Sequence, residues 1–339
     1  MATPRVAFYC VADSRYFLGA VGMLNSLRMV GHREPVYFLD CGLTEDQREL
    51  LAPHATLVPA PSDALPWLLK TIAPLRHPAE VMVLIDSDVI VTRPLTELIE
   101  DASEGKVTAF RTGYDRFFPE WGELLALGRA RRQPYLCSAV LFLGGAVGEE
   151  VLRLMDEGQA LVPIPAHGRR SGRREFFEAV ASSPFMLADQ DVVNAILSSR
   201  VQAERIIALD HRLAPEPPFA GLRLMGEDAL RCAYDDGGEP YVLHHLGPKP
   251  WMVPVRESLY SRLLARLLVG PGVLLSVPDA DVPLRLRDGL LADAGRKLAN
   301  AQDRLRSSVW EPLSWRVGAR VDALRSRLMS VAGPSERRP

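Results

Sequence analysis

The sequence has little of what marks several large classes of protein. Its four cysteines, at positions 10, 41, 137 and 232 of 339 residues, form no Cys-x-x-Cys pair, so neither a disulfide framework nor a zinc site is expected. The longest apolar stretch, 263–278, is interrupted by Arg266 and by Gly-Pro-Gly at 270–272, which does not suit a membrane span. Residues 1–13 lack the charged start and long apolar core of a secretory signal. These absences predict a cytoplasmic protein.

Charge of either sign is not in large excess, since the formal net charge is -2. This balance gives no indication of nucleic acid as a partner. Lysine is scarce: it occurs only at 70, 106, 249 and 297, and the other 36 of the 40 basic residues are arginine. The hydrophobic content of 47% is enough for a sizeable core.

Apolar patterns of two different periods alternate along most of the chain. Strands are predicted at 6–12, 36–39, 56–58, 81–91, 106–110, 135–143 and 241–246, and helices at 16–28, 44–51, 63–73, 147–160 and 188–197. Strands that alternate with helices indicate an α/β fold with a mostly parallel sheet covered by helices on both faces. Ligands of such sheets bind beyond the carboxyl ends of the strands, where Asp13 and Asp86 lie.

The apolar run at 81–91 is interrupted by two acids, Asp86 and Asp88. A buried, ionised carboxylate needs a partner or a metal ion. Residues two apart in an extended chain point to the same side, so both acids can share one cation. The alternative is a strand that ends at Ile85 and is followed by a solvated turn at 86–88.

A second polar segment, 244–251, follows the last predicted strand. Two carboxylates together with the imidazole of His244 suit Mn²⁺, or else Mg²⁺, because mixed oxygen and nitrogen ligands move the preference away from Ca²⁺. Three protein ligands leave positions open for a diphosphate, and Lys249 is placed to neutralise a phosphate. The alternatives are an ordinary strand histidine and a solvated loop lysine.

Four motifs in this order resemble glycosyltransferase family 8, whose members have the GT-A fold, retain anomeric configuration, and include glycogenin and bacterial lipooligosaccharide galactosyltransferases. The motifs are Val11-Ala12-Asp13-Ser14-Arg15-Tyr16, then Asp86-Ser87-Asp88, which looks like the Asp-x-Asp signature of nucleotide-sugar enzymes, then Asp189-Gln190-Asp191 before a helix, and finally His244-x-x-Gly247 with Lys249-Pro250-Trp251. The resemblance covers roughly residues 5–253.

The resemblance implies a role for each matching residue. Asp86, Asp88 and His244 would hold Mn²⁺ against the diphosphate of a nucleotide-sugar donor. Asp189 and Gln190 would face the sugar and stabilise the developing oxocarbenium charge, although Asp189 as a plain helix cap is the alternative. The other donor-binding residues would be Asp13 at the base or ribose, Lys249 at the phosphates, Lys70, Ser87, Cys137 and Gly247. A surface charge on a helix is the alternative for Lys70.

The implied activity is transfer of a hexose, expected from a UDP carrier, to a hydroxyl of a glycan, a lipid-linked glycan or a small molecule. Retention has two routes, a covalent intermediate on a carboxylate or attack from the face that the diphosphate leaves. The sequence departs from the family at Cys137, where Asn is usual, and has one residue fewer between Gly247 and Lys249. These departures motivate an alternative, a catalytically silent binding or scaffold subunit. A third hypothesis, nucleotidyl transfer, lacks a Gly-rich phosphate loop near the first strand.

Residues 256–339 are predicted to form a helical, mildly basic extension of a glycosyltransferase domain at 1–255. Between 271 and 339 there are 12 Lys and Arg against 8 Asp and Glu, whereas the rest of the chain has 28 against 34. Apolar stripes with helical spacing at 284–305 and 313–328 are expected to pack on the protein's own domain or on a second subunit, or else to lie on the inner face of an anionic membrane. The basic segment 168–174 is predicted to be a mobile loop.

Overall fold

The structure is a computed structural model that describes residues 3–61, 66–162, 182–226, 230–253, 258–287 and 297. The basic segment 168–174 and most of the apolar stripes of the tail lie outside these residues. The predictions made for them stay predictions.

Strands and helices alternate along the described chain. The strands are β1 (Val6–Ala12), β2 (Val36–Asp40), β3 (Thr56–Pro59), β4 (Val81–Ile85), β5 (Val89–Val91), β6 (Val107–Arg111), β7 (Leu136–Gly144), β8 (Ile206–Leu209), β9 (Leu222–Leu224), β10 (Cys232–Tyr234) and β11 (Val242–His244). The α-helices are α1 (Phe17–Met29), α2 (Glu45–Leu51), α3 (Ile72–Arg76), α4 (Thr96–Ser103), α5 (Trp121–Leu124), α6 (Gly145–Leu161), α7 (Asp189–Ser199) and α8 (Leu259–Val269).

A seven-stranded sheet forms the centre of the molecule, in the order β3-β2-β1-β4-β7-β6-β8. Strands β3, β2, β1 and β4 are parallel, β7 is antiparallel to both of its neighbours, and β8 is parallel to β6. Successive side chains of β4 enter opposite cores, with Val83 in one and Leu84 in the other. Both faces of the sheet are therefore buried, and the predicted α/β fold with a mostly parallel sheet is confirmed.

The apolar run at 81–91 forms two strands, so the prediction of one strand was wrong. β4 ends at Ile85, the chain turns through 86–88, and β5 leaves the main sheet to pair antiparallel with β11. Val89 lies opposite His244 in this ribbon, and His245 N donates to the Asp88 carbonyl at 3.0 Å. The pairing therefore brings the segment after β11 to the turn after β4.

The helix predicted at 63–73 was wrong in its extent. A 3₁₀ turn at Pro66–Leu68 is followed by a turn that contains Lys70, and α3 begins only at Ile72. A proline ring in a helix clashes with the carbonyl four residues before it, so Pro74 prevents a helix from running through Lys70. Residues 62–65 lie outside the described part of the chain.

The first part of the predicted extension packs on α1. Asn25 in α1 donates to the carbonyls of Leu267 at 2.6 Å and Leu275 at 2.7 Å, and accepts from Leu275 N at 3.0 Å. Residues from α8 to Leu286 belong to the same core as one face of the sheet. The domain boundary at 255 stays a prediction. Within the described ranges, no helix has the length and apolar character needed to cross a membrane.

Candidate active site

The turn between β4 and β5 carries both acids of the Asp86-Ser87-Asp88 motif. Asp86 N donates to the Ala139 carbonyl of β7 at 2.8 Å, and Ser87 and Asp88 are only 6% and 7% exposed. β4 ends before the acids, as the alternative interpretation had it, but Ser87 and Asp88 are buried and only Asp86 is partly exposed, so the turn is not a solvated one. Because buried carboxylates need partners, the surrounding segments must supply them.

Asp86, Asp88 and His244 form a group that could hold a cation. Their ligand atoms all lie within 4.8 Å of one another, and His244 Nε2 is 3.6 Å from Asp88 Oδ1. Asp88 Oδ1 is buried and accepts no hydrogen bond from the described residues. An orphaned carboxylate oxygen beside an imidazole suits a divalent cation that takes oxygen and nitrogen ligands. The donor set therefore fits Mn²⁺ or Mg²⁺.

Burial and neighbouring charges shift the pKa values of this group. Burial raises the pKa of Asp86 to about 6 against the opposing charge of Lys70. Burial acts on Asp88 in the same direction, but the positive charges of His244 and Lys249 outweigh it, so the pKa of Asp88 is lowered. Burial would lower the pKa of His244, yet the charge of Asp88 raises it well above its ordinary value. Asp88 is therefore the acid that holds its negative charge more firmly.

Lys70 is a largely buried cation, with 12% of its side chain exposed, at the junction of three elements. Its Nζ lies 2.6 Å from Asp86 Oδ1, 2.8 Å from Asp189 Oδ2 and 3.3 Å from the Ser138 carbonyl. The Ser138 contact is a hydrogen bond, and the two acids are ion-pair partners of the ammonium. Burial would lower the pKa of Lys70, but the two acids raise it. Lys70 is therefore not a surface charge on a helix, because it ties the turn after β4 to β7 and to α7.

Lys249 reaches the central acids from the segment after β11. Its Nζ donates to Asp88 Oδ2 and, at 2.5 Å, to the His245 carbonyl, and the residue is 7% exposed. Gly247 has a φ of +91°, a conformation that glycine adopts without strain, and it turns the chain towards Lys249. Lys249 thus reaches the site although this segment is short, and it is not a solvated loop charge. Two of its three N–H groups have acceptors within the described ranges.

α7 presents Asp189 and Gln190 to the same region. Asp189 pairs with Lys70, so it does more than cap the helix. Gln190 Oε1 accepts from Ser138 N at 3.3 Å, and Gln190 Nε2 donates to the Tyr114 hydroxyl at 3.2 Å. The residue before the helix, Ala188, has φ +46° and ψ -117°, which is strained for a residue with a Cβ. The side chain of Gln190 is therefore held in one orientation beside β7.

A buried ion pair that the sequence did not predict anchors α7. The Asp191 carboxylate is fully buried. It accepts hydrogen bonds from Arg116 Nε and the Tyr135 hydroxyl, both at 2.6 Å, and from Leu187 N at 2.7 Å. Asn194, one turn further on, exchanges two hydrogen bonds of 2.8 Å with the backbone of β7. These bonds fix the start of α7 against the sheet.

Asp13 lies directly after β1, at the edge where the site is built. Because β1 and β4 are parallel neighbours, their carboxyl ends meet at this edge. Asp13 Oδ1 accepts from Arg15 N and Tyr16 N, both at 2.9 Å. Among the described residues, Asp13 belongs to neither group of side chains that could hold a cation. Its contact with a base or ribose stays a prediction.

Gly19, in the first turn of α1, allows the Asp86-Ser87-Asp88 turn and the Trp251 ring to approach the helix closely. A Cβ at this position would lie 2.5 Å from the Ser87 carbonyl oxygen and 2.7 Å from the Trp251 ring. Trp251 Nε1 also donates to the Arg15 carbonyl at 2.8 Å. The start of α1 is therefore in contact with the turn after β4 and with the segment after β11. No motif in the sequence points to Gly19.

Glu216 is a second residue of the site that no sequence motif predicted. Its Oε1 lies 3.4 Å from His244 Nδ1, and Cys137 Sγ lies 3.8 Å from the same nitrogen. His244 N donates to the Pro215 carbonyl at 3.1 Å, which fixes the loop of Glu216 beside β11. The only local signal is an acid between prolines at 215, 217 and 218. Cys137, which was predicted to contact the nucleotide-sugar donor, is buried, and its sulfur contacts the His244 imidazole.

Comparisons with known proteins identify the architecture. No protein-family model matches the chain, and no curated protein sequence matches it. The solved structure of the galactosyltransferase LgtC, in complex with donor and acceptor sugar analogs, matches with a TM-score of 0.51 and 15% identity, over 81% of this chain and 98% of that one. An active-site mutant of LgtC matches with a TM-score of 0.52, the same identity and the same coverage. This chain has the GT-A fold. Within the GT-A fold, the candidate site occupies the edge where β1 and β4 end.

Proposed function

We propose that the protein is a metal-dependent, retaining glycosyltransferase that transfers a hexose from a UDP-linked donor to an acceptor hydroxyl. The observation that carries this proposal is the group of Asp86, Asp88 and His244, whose ligand atoms lie within 4.8 Å of one another at the carboxyl edge of a GT-A sheet. The similar structures include a galactosyltransferase with donor and acceptor sugar analogs. That likeness supports the fold, and the charged residues support the chemistry.

Asp86, Asp88 and His244 would hold Mn²⁺, or else Mg²⁺. When bound, the cation supplies positive charge that stabilises the departing diphosphate. Lys249 would also stabilise the negative charge of the diphosphate. Two of its N–H groups bond to Asp88 and His245, and the third can donate to a phosphate oxygen. Departure of the diphosphate would thus depend on Lys249 and on the cation held by Asp86, Asp88 and His244.

Asp189 and Gln190 would face the hexose. Ser138 N and the Tyr114 hydroxyl hold the Gln190 amide, so its dipole needs no reorganisation during the reaction. The Asp189 carboxylate, held by Lys70, would stabilise the positive charge that develops on the sugar ring. The remaining proposed donor contacts are Asp13, Ser87, Cys137 and Gly247.

A cavity of about 430 Å³ beside α7 suits the acceptor. Its walls include Arg111, Arg132, Gln133 and Tyr114, and the Tyr114 hydroxyl bonds to Gln190. Gln133 Nε2 is buried and has no hydrogen-bond partner within the described ranges. The wall also carries Asp115, which pairs with Arg132. Donors and an acceptor together suit the hydroxyl groups of a glycan, free or lipid-linked.

The test is turnover of UDP-glucose, UDP-galactose and GDP-mannose by the purified protein with Mn²⁺, with release of the nucleoside diphosphate as the signal. Removing a cation ligand in Asp88→Asn should lower turnover by more than about 100-fold, because even indirect partners of metal ligands are worth 10- to 100-fold. Asp46→Asn, an exposed acid on α2, is the matched control. Unchanged turnover in Asp88→Asn would contradict the metal assignment. Absence of turnover with every donor would favour the silent scaffold.

A further inference from the structure

His244 faces a second set of possible metal ligands with its other ring nitrogen. Cys137 Sγ lies 3.8 Å and Glu216 Oε1 lies 3.4 Å from His244 Nδ1. These three ligand atoms all lie within 4.8 Å of one another. The cluster is separate from the acids on the Nε2 side, since only the imidazole is shared.

The separations are close to those of a tetrahedral zinc site. With ordinary Zn–S and Zn–N or Zn–O bonds, neighbouring ligand atoms lie about 3.3 to 3.6 Å apart. The sulfur-to-nitrogen distance of 3.8 Å and the oxygen-to-nitrogen distance of 3.4 Å therefore need shifts of at most a few tenths of an ångström. The third separation, between Cys137 Sγ and Glu216 Oε1, is below 4.8 Å and closes when the partly exposed Glu216 side chain moves towards the sulfur. Three protein ligands would leave a fourth position for water.

The chemistry of the donors selects a soft cation. Thiolate and imidazole favour zinc over the ions that carboxylates and water prefer. Cys137 and His244 are 8% and 7% exposed, whereas the Glu216 side chain is 27% exposed, so a cation can enter from the Glu216 side. No Lys or Arg of the described residues pairs with Glu216. Its negative charge is therefore available to a cation.

We propose that Cys137, Glu216 and His244 form a zinc-binding site that acts against the donor site. On binding, the thiol proton and any proton on Nδ1 leave to solvent, and both atoms bind the cation. A neutral imidazole has one lone pair, so a metal at Nδ1 leaves the proton on Nε2. Zn²⁺ at Nδ1 thus removes His244 as a ligand for Mn²⁺ at Nε2. This antagonism rests on the proposed function, whereas zinc binding itself does not.

The spacing of the cysteines along the chain gave no reason to expect zinc, because the ligands of the proposed site are far apart in the sequence. Cys137 lies in β7, Glu216 follows β8, and His244 ends β11. Local spacing detects only ligands that are close in the chain. In the folded chain β11 is brought to β5 and the Pro215 carbonyl is bonded to His244 N, so distant ligands meet.

Cobalt(II) titration of the purified protein tests the site, because a thiolate ligand gives Co²⁺ a charge-transfer absorption that oxygen and nitrogen ligands do not give. We expect this absorption in the wild type, its loss in Cys137→Ser, and about tenfold weaker Co²⁺ binding in Glu216→Gln. Cys41→Ser, which changes a partly exposed thiol elsewhere, should behave like the wild type. Thermal unfolding of each variant confirms that it is folded.

Competition then tests the antagonism. One equivalent of Zn²⁺ should weaken Mn²⁺ binding at least about tenfold in the wild type, and this effect should be lost in Cys137→Ser. Absence of the thiolate absorption in the wild type, or its persistence in Cys137→Ser, would overturn the zinc site. A thiolate absorption in a protein that does not bind Mn²⁺ would support the zinc site and contradict the proposed function.

Discussion

Replacing Glu216 by Gln tests whether this residue positions His244 for the donor-site cation. A histidine that binds a metal through Nε2 must carry its proton on Nδ1, and that N–H needs an acceptor. Glu216 Oε1 lies 3.4 Å from Nδ1. The carboxylate therefore favours the tautomer that presents the Nε2 lone pair towards Asp86 and Asp88. Glutamine keeps the shape and an acceptor oxygen but removes the charge.

The size of the effect follows from the neighbours of the ring. Among the described residues, the other acceptor near Nδ1 is Cys137 Sγ at 3.8 Å, and sulfur is a weak acceptor. The negative charge of Glu216 lies close to the ring and favours a proton on Nδ1 more than the neutral sulfur does. Loss of such a partner lowers metal affinity about 10- to 100-fold, and each tenfold step is about 1.4 kcal/mol. We expect about tenfold for Glu216→Gln and more for Glu216→Ala.

The assay is calorimetric titration with Mn²⁺, together with ¹⁵N NMR of labelled histidine in the Mg²⁺ complex to locate the ring proton. Asp235→Asn is the control, since it also removes one negative charge, from an exposed pair with Arg223. An affinity of Glu216→Gln within twofold of the wild type would refute the positioning role. A wild type that does not bind Mn²⁺ would contradict the proposed function instead.

Three further substitutions test the packing around the site. Asp191→Asn should lower the free energy of unfolding by about 3 to 5 kcal/mol, because it removes the charge of a fully buried carboxylate that pairs with the buried Arg116 guanidinium; denaturant unfolding measures this. Gly19→Ala should cost about 1 to 3 kcal/mol and weaken Mn²⁺ binding, because its Cβ would meet the Ser87 carbonyl oxygen at 2.5 Å. Glu34→Gln should destabilise the protein at neutral pH, with a difference that shrinks as the pH falls from about 4.5 to about 2. The hydrogen bond from His32 lowers the pKa of Glu34 from 4.5 to about 2, so the carboxylate adds stability above its unfolded pKa and loses it on acidification.

Two of these variants have a matched control, and the third has its own contradicting outcome. Asp235→Asn breaks an exposed ion pair and should change the unfolding free energy by less than about 1 kcal/mol; equal losses in both Asp variants would contradict the role of the buried pair. Gly113→Ala would place its Cβ 3.9 Å from the nearest side chain and should be tolerated. A destabilisation by Glu34→Gln that grows on acidification would contradict the lowered pKa of Glu34.

Most of the sheet could be predicted from the sequence because its strands are continuous apolar runs between polar segments. The helix predicted at 44–51 is present, and a capping box of Thr44 and Gln47 opens it. The run at 81–91 was harder, because β5 is as apolar as β4. Composition alone does not show that one strand pairs in the main sheet and the other with β11. That choice depends on a contact between residues more than 150 positions apart.

In the candidate site, too, some residues could be predicted from local sequence motifs and others could not. Asp86, Asp88 and His244 belong to motifs and could be proposed from the chain, whereas Glu216 lies in a proline-flanked loop without any period. Its role could not be predicted from the sequence, because Glu216 and His244 become neighbours only in the folded chain, where β11 pairs with β5. Lys70 could be named, but its bridge between Asp86 and Asp189 joins segments that are distant in the chain. Long-range pairing, which local patterns do not encode, supplied these contacts.

Calorimetric titration with UDP tests the central claim most directly. The proposed cation site of Asp86, Asp88 and His244, with Lys249 beside it, predicts that UDP binds in the presence of Mn²⁺. Binding should be lost with excess EDTA and in Asp88→Asn, and GDP should bind more weakly than UDP. UDP binding that survives EDTA, or no binding of either nucleotide with Mn²⁺ present, would contradict a metal-dependent donor site.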